Sequence, residues 1–443
     1  MGVSGVPART LAGALAGIVG RDGVSNDATA LAAAAVDGAV PRAVVRVASR
    51  DQVAQVLALA HDDGLAVVPR GGGNALGSGV PPARVDIVLD LRALDRVVEW
   101  NPDDLTVTVE AAVTLGALNE KVLAAHRQTL PLDPAGWRLR TVGGVTATNA
   151  SGPLRARYGT MRDLLLGVRF AQSDGVTTWG GAKVVKSVTG YDVPKLMVGA
   201  LGTIGVLTEL TLRLHAVPES ERTWLVTAPS LETLQACLDA LVDSPLQPSR
   251  VEVLDTGALA GFGAGHAKAA LAVAFASVAE AVREQGDRLV DMARRAGAAV
   301  TERPTDVWRD VDRIATPSSG DVALDVAALP AQVGGVIRAI TYDPAVFGTS
   351  VRCAVTGHAS VGTLRAIVGG AAPSDVVAMV TRLRASVADF GGSVVVSAGP
   401  RAVRAAIDPW GPIEPGAFAL MRRIKQEFDP RGVLNPGRFV GGL

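Results

Sequence analysis

Apolar and polar positions alternate with a period that switches repeatedly along the chain, and each switch marks an element. In RDQVAQVLALAHDDG, Val53, Val56, Leu57 and Ala60 share one helical face behind Ser49, a candidate N-cap. LAVVP reads as a short buried strand, VDIVLDL and LTVTVEAAV as two more, the last with Leu105, Val107 and Val109 alternating. Thr114 is placed to cap a helix over LGALNEKVLAAH. LLLGVRFAQ, the turn SDG and VTTW form a hairpin signal, and GVLTELTLRLHAVPE closes this part with Leu210, Leu212 and Leu214 alternating against polar residues. After Pro218 the rhythm becomes strand RTWLVTAP, helix LETLQACLDALV behind Ser230, strands RVEVLD and AALAVAFA, a long helix over 277–297 and a strand at 298–301. That order is the split β-α-β-β-α-β unit. It recurs as DVALDVAAL, PAQVGGVIRAI, SVRCAVTG, LRAIVGG, the helix beginning PSDVVAMV, and SVVVSA, so two such units are expected to share one antiparallel sheet whose free face roofs a site on the first domain. The expected organisation is an α+β domain over residues 1–218, a cap over 219–400 and a C-terminal helix and tail over 401–443.

Composition narrows the class. At 443 residues the chain suits two or three cores, and 48% hydrophobic residues supply them. The 43 basic and 43 acidic residues balance, which argues against a nucleic-acid or anionic-membrane surface, and 4% aromatics are too few for a base-stacking platform. Cys237 and Cys353 sit in apolar surroundings and read as core filling. LAGALAGIVG is apolar only over Leu11–Val19, too short to span a bilayer and without a signal-peptide layout, so it is expected to dock on the domain and the protein to be cytoplasmic.

Glycine is distributed unevenly. Five glycines lie between Gly71 and Gly79 in PRGGGNALGSG, directly after an apolar run. Glycine costs roughly 0.5–1 kcal/mol relative to alanine in ordered secondary structure, so the cluster marks a loop that needs positive φ or close approach. No Gly-Lys-Ser/Thr follows and no evident helix opens, so neither a P-loop nor a Rossmann turn fits. Further glycine-rich stretches, TVGGVTATNASGPLRARYGTMRDL and VGALGTIGVLTE, each lie beside an expected strand. Three loops of this kind can converge on one long phosphate-containing ligand, for which a dinucleotide is a natural candidate.

These stretches, with GGAKVVKSVTGYDVPKLMVGALGTIGVLTE and the ending FDPRGVLNPGRFVGGL, resemble the FAD-binding oxidoreductases related to vanillyl-alcohol oxidase, whose FAD-binding domain is of the p-cresol methylhydroxylase (PCMH) type. Within that superfamily the likeness is greatest to the E-type, FAD-binding chain of bacterial glycolate oxidase; it is strong over about residues 37–218, good over about the last 40 and weak between. The resemblance implies a PCMH-type FAD-binding domain plus a ferredoxin-like antiparallel-sheet cap. It also implies that Pro69 and the backbone of Arg70, Gly71, Gly72, Gly73 and Asn74 surround the FAD diphosphate, with Gly77 and Gly79 in the same loop. Thr141, Val142, Gly143 and Gly144, then Thr148, Asn149 and Gly152, would line the other side of the diphosphate and the ribityl chain, and Pro134 would also touch the cofactor. Gly202, Thr203, Gly205 and Val206 would pack near the adenosine half, and Asn435 would return near the ring. Some relatives tether the flavin to a histidine. Here none of the five histidines falls in a glycine loop, the nearest being His61, and the second stretch holds no cysteine, so the FAD is expected to be non-covalent.

Oxidising a 2-hydroxy acid beside a flavin requires a base for the hydroxyl proton, a cation for the carboxylate and alignment for hydride transfer. Catalytic relatives carry a metal-binding GHxGDGNLH stretch in the cap. The corresponding GHASVGTLR keeps His358 but has Val361 and Arg365 at an acidic and a histidine position, so no metal is expected. His358 is the candidate base, Arg365 (or Arg352) a carboxylate partner, and Lys186 a contact to flavin or substrate; Tyr191 and Asp192 are expected to fasten their loop. Two functions of different class stay open. The chain either oxidises glycolate, D-lactate or another small 2-hydroxy acid, or it relays electrons and holds a complex together; a stand-alone alcohol or sugar oxidase is the third reading. The resemblance implies partners: a D-type catalytic flavoprotein and an iron–sulfur F-type subunit leading towards quinone. No nucleic acid and no direct membrane span are expected, any membrane association coming through those subunits. The altered metal stretch favours the relay for this chain.

Overall fold

The protein is described by a computed structural model over residues 10–184, 190–263, 266–341, 351–389 and 391–443. Strands β1 (Val24–Ser25), β2 (Ala43–Arg46), β3 (Val67–Arg70) and β4 (Ile87–Asp90) form a sheet in the order β1-β2-β4-β3, with β4 parallel to both of its neighbours. All four residues of β4 are buried, as a parallel strand covered on both faces requires. The helix Arg50–Asp63 crosses from β2 to β3. Ser49 Oγ accepts from the Gln52 amide, Gly64 ends the helix in the left-handed region, and the expected face of Val53, Val56, Leu57 and Ala60 is buried.

The next strands are β5 (Val97–Asn101), β6 (Thr106–Glu110), the short β7 (Gln128–Thr129), β8 (Leu165–Ala171), β9 (Thr177–Gly181), β10 (Val206–Arg213) and the short β11 (His215–Ala216), five of which form a second sheet. Its order is β5-β6-β10-β8-β9, all antiparallel, while β7 and β11 pair separately. The expected hairpin is β8–β9. The single α-helix expected behind Thr114 is instead a wide π turn over Ala117–Val122 followed by a 3-10 turn over Leu123–His126. Thr114 Oγ1 still accepts from the Ala117 amide, but the Asn119 side chain is clamped to both the amide and the carbonyl of Leu130, which ties this turn to the neighbouring segment.

The cap strands are β12 (Ser220–Ala228), β13 (Arg250–Asp255), β14 (Ala269–Ser277), β15 (Ala299–Arg303), β16 (Val322–Ala327), β17 (Arg352–His358), β18 (Thr363–Gly369) and β19 (Ser393–Ala398). They form one eight-stranded sheet, β15-β12-β14-β13-β17-β18-β16-β19. Each half is a ferredoxin-like unit, and the halves join along an antiparallel β13–β17 seam whose register sets Glu252 opposite His358. Period-2 alternation divides the two faces. Val251, Val253, Val355, Leu364, Leu324 and Val326 point into a core closed by helices Leu231–Val242, Ala279–Arg295, Val333–Thr341 and Pro373–Ala388. Their neighbours Arg250, Glu252, Thr356, His358, Arg365 and Asp325 face the first domain. An unexpected helix, Val307–Ala315, covers the flank of that face through Val307 and Val311, packed against Leu225, Leu254 and Ala270.

The C-terminal helix Pro415–Phe428 returns the chain to the first sheet. The Val67 amide donates to Val433 O at 2.8 Å and the Asn435 amide to Val67 O at 3.0 Å, so the tail runs beside the strand that enters the glycine loop. Lys425 Nζ fixes that approach, donating to Thr203 O at 2.7 Å, Leu434 O at 2.9 Å and Asp429 Oδ2 at 2.6 Å.

Candidate functional site

Where β3 ends, Gly71 to Ala75 form the floor of a cleft lined also by Pro69, Arg70, Arg140, Thr141, Gly144, Thr148, Asn435 and Arg438. None of the amides from Gly71 to Ala75 donates to an acceptor among the described residues, so a run of N–H groups is left for a ligand. Glycine is required here by close approach: a Cβ on Gly72 would lie 3.1 Å from the Leu139 carbonyl and narrow the cleft. Three buried polar atoms around it, Arg70 Nε, Arg438 Nε and Asn149 Oδ1, lack partners. Free amides, glycines that admit a backbone-hugging ligand and cationic side chains suit a dinucleotide diphosphate, and the residues present fit FAD.

The second glycine stretch behaves differently from the loop expected. It is a helix, Val142–Thr148, with Thr141 as N-cap. The amides of Val142, Gly143 and Gly144 are already spent on Val113 O, Ala111 O and Thr141 Oγ1, at 2.8, 2.8 and 3.1 Å. This segment therefore offers side chains and the Gly144 surface to the cleft, and no free N-terminal amides.

Beyond Thr148 the cleft opens into a cavity of about 860 Å³ between the glycine-loop domain and the polar face of the cap sheet. That lies within the roughly 300–1,000 Å³ usual for ligand sites. At the seam, His358 Nδ1 is bonded to the carboxylate of Glu252, which is 2% exposed. With Nδ1 held by a carboxylate, Nε2 is the nitrogen left to the imidazole, and His358 lines the cavity. Arg250 joins the cluster, pairing with Asp133 and Glu221. Burial pushes the Asp133 carboxyl up, against the pull of Arg250. Arg365 is already paired: its Nε and Nη2 grip Asp325 at 2.7 and 2.9 Å. Burial opposes ionisation of Asp325, yet Arg365 holds its carboxyl below the ordinary range.

Two further guanidinium groups in the wall have no carboxylate in contact. Arg140 uses only Nε, donating to Ala135 O at 2.6 Å, and Arg155 reaches Ser151 Oγ at 3.2 Å and Thr363 Oγ1 at 3.5 Å. Burial lowers the pKa of both, the signature of cations held in the wall without a direct counter-ion. Neither was singled out from the sequence, although RLRTVGG and GPLRARYG place both beside the second glycine stretch.

The structure thus brings Pro69, Arg70, Gly71, Gly72, Gly73, Asn74, Thr141, Gly144, Thr148 and Asn435 to the cleft, and Pro134, Asn149, Gly152, His358 and Arg365 to the cavity. Gly77, Gly79, Val142, Gly143, Gly202, Thr203, Gly205 and Val206 lie off both walls. Gly143 packs on Ala111, Gly205 on the Phe170 ring, Thr203 Oγ1 bonds Ala200 O, and Val206 pairs with Ala171 in the sheet. Arg365, expected to meet a substrate carboxylate, has its fork occupied by Asp325, and Arg352 is an exposed partner of Asp321. Lys186 lies outside the described residues. Asp192 caps the short helix Val193–Met197 and pairs with Lys195, while Tyr191 is exposed. Cys237 is buried, and burial drives the Cys353 thiol up to about 12. Among the described residues no group of three His, Cys, Asp or Glu is arranged to hold a metal ion, and no helix is long and apolar enough to cross a membrane.

A diphosphate cradle on one domain, roofed by the polar face of an eight-stranded cap sheet, defines a PCMH-type flavin fold. p-Cresol methylhydroxylase with substrate bound superposes with a TM-score of 0.77 over 96% of this chain and 95% of that one, at 16% identity. Residues 41–181 match the FAD binding domain family and residues 217–439 the C-terminal domain of FAD linked oxidases. The chain belongs to the FAD-linked oxidases and is an FAD-dependent oxidoreductase. It is 30% identical to the D-2-hydroxyglutarate dehydrogenase of Xanthomonas citri pv. viticola, over 90% of this chain and 89% of that protein. It is also 25% identical to the glycolate oxidase subunit GlcD of Bacillus subtilis, again over 90% and 89%.

Proposed function

We propose that this chain itself oxidises a small 2-hydroxy acid of the glycolate or D-lactate type at a non-covalently held FAD, as the flavin subunit of a dehydrogenase that passes electrons towards an iron–sulfur partner. The observation that carries the reading is the wall of the wide cavity: two guanidinium groups without carboxylate partners, Arg140 and Arg155, share it with the Glu252–His358 pair. A relay flavoprotein has no need of a carboxylate-binding wall and a carboxylate-oriented imidazole.

FAD, when bound, supplies the acceptor for the two electrons that leave the carbinol carbon. Arg140 and Arg155 hold the substrate carboxylate, which fixes the hydroxyl-bearing carbon against rotation. His358 Nε2 takes the hydroxyl proton, and Glu252, fixed opposite by the β13–β17 register, holds Nδ1 and stabilises the imidazolium that results. Asp133, held by the Leu154 amide and by Arg250 of β13, ties the cavity wall of the first domain to the cap sheet. The names of the relatives, a D-2-hydroxyglutarate dehydrogenase and a glycolate oxidase subunit, support the substrate class. Non-covalent attachment is supported by the glycine loops, which hold neither histidine nor cysteine.

Anaerobic reduction of the purified holoprotein tests the reading. Glycolate or D-lactate should bleach the flavin of the wild type, and Arg155→Met should demand a much higher concentration of either acid. Acid precipitation should leave the flavin in the supernatant. Equal bleaching by the corresponding alcohols that lack a carboxylate would refute carboxylate recognition.

A further inference from the structure

Beneath the second half of the glycine loop lies a buried cluster of charge: Arg404, Asp37 and Arg438. Arg404 is 1% exposed at its side chain; it is paired with Asp37, and its Nη1 donates to Gly79 O at 2.9 Å. Arg438 is buried as well. Its Nη2 donates to Leu76 O and Ser78 O, its Nε has no partner, and it enters no ion pair among the described residues. Two guanidinium groups thus share one carboxylate, leaving one positive charge uncompensated in the interior. Burial pushes the Arg438 guanidinium down to about 10, with Asp37 opposing and Arg404 adding to the fall. Proteins do not hold an unpaired buried cation without an anion to offset its desolvation. Arg438 lines the same cleft as the free amides of Gly71 to Ala75.

We propose that Arg438 is the fixed counter-charge for the FAD diphosphate, so that the apoprotein carries an uncompensated buried cation which cofactor binding neutralises. The proposal rests on the reading of the cleft as an FAD site. It goes beyond that reading in assigning a fixed electrostatic part of cofactor affinity to a residue of the C-terminal tail, because Gly71 to Ala75 offer only neutral amides and the Arg70 charge lies in the field of Asp90. It also gives the tail a reason to return to β3: the segment that brings Arg438 completes the cofactor site.

The test is FAD titration of the apoprotein, followed by quenching of flavin fluorescence at several ionic strengths, with thermal midpoints measured in parallel. Arg438→Met should weaken FAD binding about tenfold or more and flatten its salt dependence. Its apoprotein should melt no lower than wild-type apoprotein, since the lost hydrogen bonds are offset by removal of a buried charge. Arg438→Lys should bind FAD within about threefold of wild type. Asp37→Asn, which removes the only carboxylate of the cluster, should shift affinity the opposite way and steepen its salt dependence; this variant decides the matter if Arg438→Met does not fold. Arg438→Met binding FAD within about twofold of wild type, with unchanged salt dependence, would overturn the counter-charge, as would equal loss of affinity in Arg438→Met and Arg438→Lys. Wild-type protein that takes up no FAD would overturn the cofactor reading itself.

Discussion

Gly152 sits where two walls of the cavity touch, and replacing it with alanine perturbs both. A Cβ there would lie 1.8 Å from the Asp133 carbonyl oxygen, 2.4 Å from its carbonyl carbon and 2.6 Å from Asp133 Oδ1. Non-bonded carbon and oxygen do not approach so closely, so the segments must part by more than about 1 Å. Asp133 cannot yield freely, because Oδ1 accepts from the Leu154 amide at 2.9 Å and Oδ2 faces Arg250 Nε at 3.3 Å. Overpacking of this kind costs about 1–3 kcal/mol. Loss of the charged hydrogen bond from Leu154 adds about 1.5–3 kcal/mol. A total of about 3–6 kcal/mol, at roughly 2–4 °C per kcal/mol for a domain of this size, lowers the melting temperature by about 6–24 °C. Differential scanning calorimetry of holoprotein measures it directly. Gly77→Ala is the control, since the nearest atom to its Cβ is Arg404 Nη2 at 3.9 Å. Gly152→Ala melting within about 2 °C of wild type would refute the assignment of this glycine to backbone approach.

Glu252→Gln should slow flavin reduction by about 10²-fold or more in stopped-flow mixing, because a neutral amide no longer balances the charge of an imidazolium; an unchanged rate removes His358 from the chemistry. Lys425→Met leaves Asp429, whose side chain is fully buried, without its cation and should cost about 3–5 kcal/mol, seen as a lower denaturation midpoint. For Asp90 burial works to raise the pKa, but hydrogen bonds from the Arg92 side chain and amide hold it below the ordinary carboxylate value. Its stabilisation is therefore complete above about pH 4 and fades as pH falls through the lowered pKa, so Asp90→Asn should flatten the acid limb of the stability profile.

The elements were legible where periodicity and packing agree. Ser49 and Ser230 appear in the structure as the pattern requires, because each serves a local cap, and the leucines of β10 are buried as expected, although Thr208, Glu209 and Thr211 between them are buried as well. The repeated β-α-β-β-α-β order was visible for the same reason. The seam between the two units was not, since the pairing of Glu252 with His358 depends on a register between strands about a hundred residues apart. Glycine-rich composition also conceals two different uses. At Gly71 to Ala75 it frees amides for a ligand; at Gly143 and Gly152 it lets backbone approach Ala111 and Asp133. Arg140 and Arg155 escaped notice because an arginine in sequence carries no sign of whether a carboxylate awaits it. Arg365 was expected to be free and is matched to Asp325 across β16 and β18.

The most direct test is the anaerobic half-reaction of the isolated chain. Purified with FAD and mixed with glycolate or D-lactate in the absence of partner subunits and oxygen, the wild type should lose its oxidised flavin absorbance in a single turnover, and His358→Ala and Arg155→Met should not do so at the same acid concentration. Flavin that stays oxidised with every small 2-hydroxy acid, yet is reduced once a catalytic partner subunit is added, would contradict the claim that this chain performs the oxidation.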